Sequence, residues 1–180
     1  RSPLEYGSQR TPTAQWTATA AGCTILEEKG QGPYVTHVIC GRIVDKGITD
    51  ANNMGAAMAP AAYSTLQAHF QDTGREPSFY DLIVTGDLGK LGKALVEELF
   101  RRDGVELGNY DDCGLMLYRL EQQDVHCGGS GCGCSAITLC GYLLGQLNAG
   151  KLKKILFCGT GALLSPTSTQ QGLPIPGVCH

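Results

Sequence analysis

Apolar and polar positions alternate over residues 14–27, with Trp16, Ala18 and Ala20 set against Thr17 and Thr19, which predicts a strand. A charged, glycine-bearing turn follows from Glu27 to Pro33. Residues 34–48, with Val35, Val38, Ile39, Ile43 and Val44, predict a second strand, and the two are expected to form a hairpin. A loop over residues 50–59 then leads to Pro60, which suits the first turn of a helix because its missing N–H is not needed there. Tyr63, Leu66 and Phe70 share one face of that helix, and Gly74 ends it.

Residues 80–85 form a short apolar run that predicts a buried strand. Asp87 stands where it would cap the next helix, whose apolar face is Leu88, Leu91, Leu95 and Leu99 and whose polar face is Lys93, Glu97, Arg101 and Arg102. Residues 111–120 predict a further strand. Residues 134–148 predict a helix stopped by Gly150, and 154–159 another strand. Gly159-Thr160-Gly161 reads as a turn, and a strand is expected to begin near Ile175. Short apolar strands alternating with helices imply a layered α/β domain with a mixed sheet covered by helices. Residues 1–13 are polar and read as an irregular lead-in. Both ends of the chain read as cut from a longer protein.

Composition narrows the function classes. The chain has 180 residues, 42% hydrophobic and 17% charged, a globular composition long enough for a sizeable core. A net charge of −3 without a Lys/Arg block argues against a nucleic-acid partner. The nine cysteines are odd in number and mostly sit inside apolar runs, which points to buried free thiols rather than a disulfide framework. No apolar run reaches the ~18 residues of a spanning helix.

The chemistry concentrates in Cys127-Gly128-Gly129-Ser130-Gly131-Cys132-Gly133-Cys134-Ser135. Three readings compete. His126, Cys127, Cys132 and Cys134 offer soft ligands, but the Cys-x-Cys spacing departs from that of zinc knuckles. Cys132 or Cys134 at a helix N-terminus could serve as a nucleophile, for which a general base is needed; His126 is the only histidine nearby in sequence. Gly128 to Gly133, ahead of a helix, could cradle an anion on free N–H groups, though the run matches neither a nucleotide P-loop nor a dinucleotide fingerprint. Thr85-Gly86-Asp87 and Gly159-Thr160-Gly161 follow strands, where ligands of α/β sheets collect, and Ser165, Thr167 and Ser168 add hydroxyls.

Several segments in order carry a resemblance: Gly47-Ile48-Thr49-Asp50, Met54 to Ala62, Leu82 to Asp87, Asp112 to Met116, Gly128 to Cys132 and Gly159 to Thr167. Together they resemble the C-terminal half of the stage V sporulation protein AD family, a branch of the thiolase-like superfamily, and the resemblance covers nearly the whole chain. It implies one thiolase-like domain over residues 1–180, half of an α-β-α-β-α sandwich, with the N-terminal half lying outside this chain. By the same resemblance Gly86 stands at the position of the catalytic His of type III ketoacyl synthases, and Gly129 at that of their Asn. Glycine donates no side-chain hydrogen bond to a thioester oxyanion. The expectation is a non-catalytic protein that binds dipicolinic acid and supports its uptake into the developing endospore; a thiolase-type acyltransferase with displaced catalytic groups is the alternative. The ligand contacts implied are Asp87, Gly129, Ser130, Cys132, Thr160, Ser165 and Thr167. No cofactor is expected, with Ca²⁺ admitted only in company with dipicolinate. The resemblance further implies a homodimer, partners among the other stage V A-operon proteins, and a peripheral place at the spore inner membrane.

Overall fold

At the centre lie three parallel strands in the order β3-β2-β5, comprising Leu82–Thr85 (β2), Tyr110–Asp112 (β3) and Ile155–Cys158 (β5). This is a computed structural model, and it describes residues 11–180. Register pairs Thr85 with both Asp112 and Cys158, so the carboxyl ends of all three strands fall level. Side chains alternate across a strand. Ile83 accordingly joins one core with Met58, Leu66, Val96 and Phe100, and Val84 joins a second with Cys113, Cys134 and Leu143. Helices cover both faces, as a parallel sheet requires. The arrangement is consistent with the layered α/β thiolase-like fold.

Helix α1 (Met54–Thr73) begins well before Pro60, because the Asn53 side chain accepts a hydrogen bond from the Ala56 N–H and caps it there. Pro60 therefore lies inside the helix rather than in its first turn. Gly74, at φ 64°, ends it as expected. Helix α2 (Gly89–Arg102) crosses α1 at glycines: a Cβ on Gly55 would lie 2.7 Å from the Leu88 carbonyl oxygen and 2.8 Å from the Gly92 nitrogen. Its buried stripe is Gly92, Val96 and Phe100, while the leucines of the expected apolar face, Leu91, Leu95 and Leu99, sit half-buried beside it. The polar face is as expected, with Lys93–Glu97 at 2.5 Å and Glu98 bridged to Arg101 and Arg102.

The strand expected over 111–120 stops at Asp112, whose side chain takes the Gly114 N–H and starts the short helix α3 (Cys113–Met116). Helix α4 (Cys132–Thr138), a π turn (Leu139–Leu143) and α5 (Leu144–Asn148) run on without a break, two residues longer at the start than expected. Gly159-Thr160-Gly161 is not simply a turn: β6 (Thr160–Ala162) pairs antiparallel with β7 (Gly177–Cys179), the strand foreseen after Ile175. Between them lies α6 (Pro166–Gln170).

The expected hairpin does not form. Strand β1 is only Trp16–Thr17, and it pairs in parallel with β4 (Gly129–Ser130). Of residues 34–48, only Val44 makes a bridge, to Gly177. Ile25, Leu26, Tyr34, Val35, Val38 and Ile43 are exposed. Alternation supplies the face of a strand but not its partner, and among the described residues this segment pairs only through Val44. Most of the irregular lead-in falls in residues 1–10, outside the described residues.

Candidate functional site

The level carboxyl ends of β2, β3 and β5 bring two carboxylates together, each holding a different set of loops. Asp87 was expected to cap α2. Instead Leu88 occupies the N-cap, with no side-chain bond of its own. The cap is supplied across the sheet by Asp112, whose oxygens accept the N–H groups of Leu88 and Gly89, each at 2.9 Å. Asp112 also accepts the Gly114 N–H at 2.9 Å and the Thr85 hydroxyl at 2.7 Å. It is fully buried. Burial pushes its pKa up to about 6, the Thr85, Gly89 and Leu88 donors pull it down, and the nearby Asp87 charge adds to the rise.

Asp87 is thereby free to tie loops. Its Oδ2 accepts the Gly131 N–H at 2.7 Å and its Oδ1 the Thr160 hydroxyl at 2.8 Å. The Asp87 N–H donates back to Thr160 Oγ1 at 3.0 Å. Gly131, at φ 95°, adopts a backbone conformation that favours glycine and turns its N–H to the carboxylate. Gln15 closes the ring, donating to the carbonyls of Asp87 at 2.8 Å and Gly129 at 2.7 Å. Three loops far apart in sequence are clamped at one carboxylate.

The sequence-predicted residues divide on this geometry. Asp87, Gly129, Ser130, Cys132 and Thr160 gather at the clamp or on the segment it holds; Cys132 is exposed at the start of α4, and Thr160 is half-buried. Ser165 instead caps α6, its Oγ accepting the Ser168 N–H, and Thr167 lies within that short helix. Gly129 does not floor an open slot. A Cβ there would meet Cys134 Sγ at 2.9 Å and Tyr118 Cε2 at 3.0 Å. At Gly86 a Cβ would meet Thr160 Oγ1 at 2.8 Å and its nitrogen at 3.0 Å. Both glycines let neighbouring segments close on one another.

The thiols are largely spent on packing. The nine cysteines are unbridged, and Cys113, Cys127, Cys134, Cys158 and Cys179 are buried. Burial pushes the Cys134 thiol up to about 12, helped by the charges of Asp112 and Asp87. Cys113 rises further from the same causes. Cys158 rises through its hydrogen bond with Cys179 and through burial. Cys127 donates to the Pro12 carbonyl at 3.3 Å. His126 pairs with Asp124 at 3.0 Å. Among the described residues no three His, Cys, Asp or Glu side chains converge as a metal centre. We expect an Ellman titration of the native protein to label Cys23, Cys40 and Cys132 first, with Cys113, Cys134 and Cys158 reacting only after denaturation. Rapid modification of Cys134 in the folded state would contradict this picture.

Asp112 and its four donors were missed by sequence reasoning. The usable signal was an acid at the end of the short Tyr-Asp-Asp strand and directly before Cys-Gly, the pattern of a side chain that caps the helix it precedes.

The fold places the chain among layered α/β proteins and is consistent with the thiolase-like type. Comparison with known proteins narrows this. The family model for stage V sporulation protein AD matches residues 1–180. Stage V sporulation protein AD of Bacillus subtilis (strain 168) is 44% identical over 181 residues, covering 100% of this chain and 53% of that protein. The chain belongs to the stage V sporulation protein AD family, and it spans about half the length of that relative. It is a sporulation protein, and among the described residues no helix is long and apolar enough to cross a membrane.

Proposed function

We propose that this protein binds dipicolinic acid without turning it over and supports its uptake into the developing endospore. The observation that carries the reading is the Asp87 clamp. It fixes three loops at the carboxyl ends of a parallel sheet, where α/β proteins hold ligands, and it uses glycines where the resemblance would put catalytic side chains. Dipicolinate is a flat aromatic dianion; the Gly131 N–H and the Thr160 hydroxyl are already given to Asp87, so the donors offered to it are the backbone N–H groups of Cys132 and Gly133 at the start of α4. The raised thiols of Cys113, Cys134 and Cys158 favour binding over nucleophilic catalysis.

Both oxygens of Asp87 are engaged by the protein, so Ca²⁺ enters this reading only as cargo held by the ligand's own carboxylates. A homodimer, the other stage V A-operon proteins as partners and a peripheral place at the spore inner membrane complete the proposal.

Calorimetric titration of the full-length protein with dipicolinate, with and without Ca²⁺, tests it beside labelling with an acyl-thioester. Saturable heat without covalent labelling is the expected result. Acylation of one cysteine would establish the thiolase-type acyltransferase instead. The absence of both heat and thermal stabilisation would leave a purely interaction-based role.

A further inference from the structure

The opposite end of the sheet carries a second set of groups that the dipicolinate reading does not use. The segments leading into β2 and β5 line an open cleft of about 670 Å³, within the usual range for small-molecule sites. Arg75, Lys153, Lys154 and His37 supply its polar wall, and Tyr34 and Phe79 its aromatic one. Because β2 and β5 are parallel and four residues long, this cleft is separated from the Asp87 clamp by roughly 13 Å of strand.

Two of the cations share one ring. The Arg75 guanidinium carbon lies 4.5 Å from the centroid of the Phe79 ring, and Lys154 Nζ lies 3.9 Å from the same centroid. Arg75 Nη1 and Nη2 each stand 3.4 Å from a ring nitrogen of His37, and Nη1 reaches the Tyr80 hydroxyl at 3.3 Å. The ion pairs of the described residues leave out Arg75, Lys153 and Lys154. Asp81, next to Tyr80 but outside the lining, accepts the backbone N–H groups of Lys153 and Lys154 on Oδ2, at 2.6 and 2.9 Å, and also feels the charge of both lysines. Two cations on one ring repel each other, and the ring's π face offsets only part of that. A doubly charged anion bound at this wall relieves it. Phosphate has that charge density, and a guanidinium meets it with two parallel hydrogen bonds.

We propose that this cleft binds a phosphate group, with Arg75 and Lys154 as its principal contacts and Lys153 contributing charge. The phosphate can belong to a free phosphate ester or to a lipid headgroup, and the experiment separates these sources.

The full chain is titrated calorimetrically with inorganic pyrophosphate. It is also sedimented with phosphatidylcholine vesicles with and without phosphatidic acid. Arg75→Ala/Lys154→Ala is compared with wild type in both arms. Arg75→Lys/Lys154→Gln is a milder second variant, and equal thermal midpoints check that each has folded. Pyrophosphate binding that weakens at least about tenfold in the alanine variant, and also weakens with salt, supports a free phosphate ligand. Sedimentation that depends on phosphatidic acid and is lost in the variant supports a headgroup. Binding in neither arm, or binding unchanged in folded variants, overturns the proposal. The dipicolinate heat is expected to be unchanged in both variants, so this site and the Asp87 site fail independently.

Discussion

Replacing Asp112 with alanine is expected to destabilise the protein by roughly 3–5 kcal/mol, lowering the thermal midpoint by about 10 °C. The substitution strands the N–H groups of Leu88, Gly89 and Gly114 and the Thr85 hydroxyl in a fully buried place. Asp112→Asn keeps the shape but turns an amide NH₂ toward donors, and an intermediate loss is expected. The pH dependence has a definite sign. The folded carboxyl has a pKa of about 6, above its ordinary value of 3.8, so between these values the unfolded chain gives up its proton first. The contribution of Asp112 to stability is therefore full below about pH 4 and falls as pH rises through 6, by roughly 3 kcal/mol. Denaturant unfolding of wild type and Asp112→Asn across this window isolates that term. The gap between them should shrink as pH rises. A gap that widens would mean that the four donors outweigh burial and hold the carboxyl below its ordinary value.

That such a residue escaped a reading of the sequence has a physical cause. Periodicity reports which face of an element is apolar, and it located α1, α2, β2, β5 and the long helix from Cys132 to Asn148. It fails where the deciding contact is not local. Asn53 capped α1 earlier than Pro60 suggested, because a side-chain acceptor outweighs the loss of one N–H inside a long helix. Asp87 left the α2 terminus only because parallel pairing of Thr85 with Asp112 delivers another carboxylate there. The residues of the clamp were individually visible as Thr-Gly-Asp, Gly-Thr-Gly and the glycine-rich run. Their connection, across the 44 residues from Asp87 to Gly131 and the 73 from Asp87 to Thr160, exists only once the sheet has formed. The failed hairpin is the converse case: residues 34–48 have the right alternation, but a strand also needs a partner.

By the resemblance Gly86 and Gly129 stand at the positions of catalytic side chains in condensing enzymes, which allows a direct test of whether this site can carry that chemistry. Gly86→His and Gly129→Asn restore, by the resemblance, the groups that condensing enzymes use. In this fold neither side chain has room. The new Cβ at residue 86 would press on Thr160 Oγ1 at 2.8 Å, the same oxygen that donates to Asp87 and accepts its N–H. At residue 129 it would press on Cys134 Sγ at 2.9 Å and Tyr118 at 3.0 Å. Overpacking of this kind costs about 1–3 kcal/mol per site. Gly86→His should be the more damaging to ligand binding, since moving Thr160 loosens the clamp. We expect the double variant to be less stable than either single one, to lose dipicolinate heat, and to gain no thioester decarboxylation or acyl transfer. A stable double variant with measurable acyl transfer would sink the binding reading. It would show that only two side chains separate this site from an enzyme, whereas the packing around Gly86 and Gly129 leaves those side chains no space.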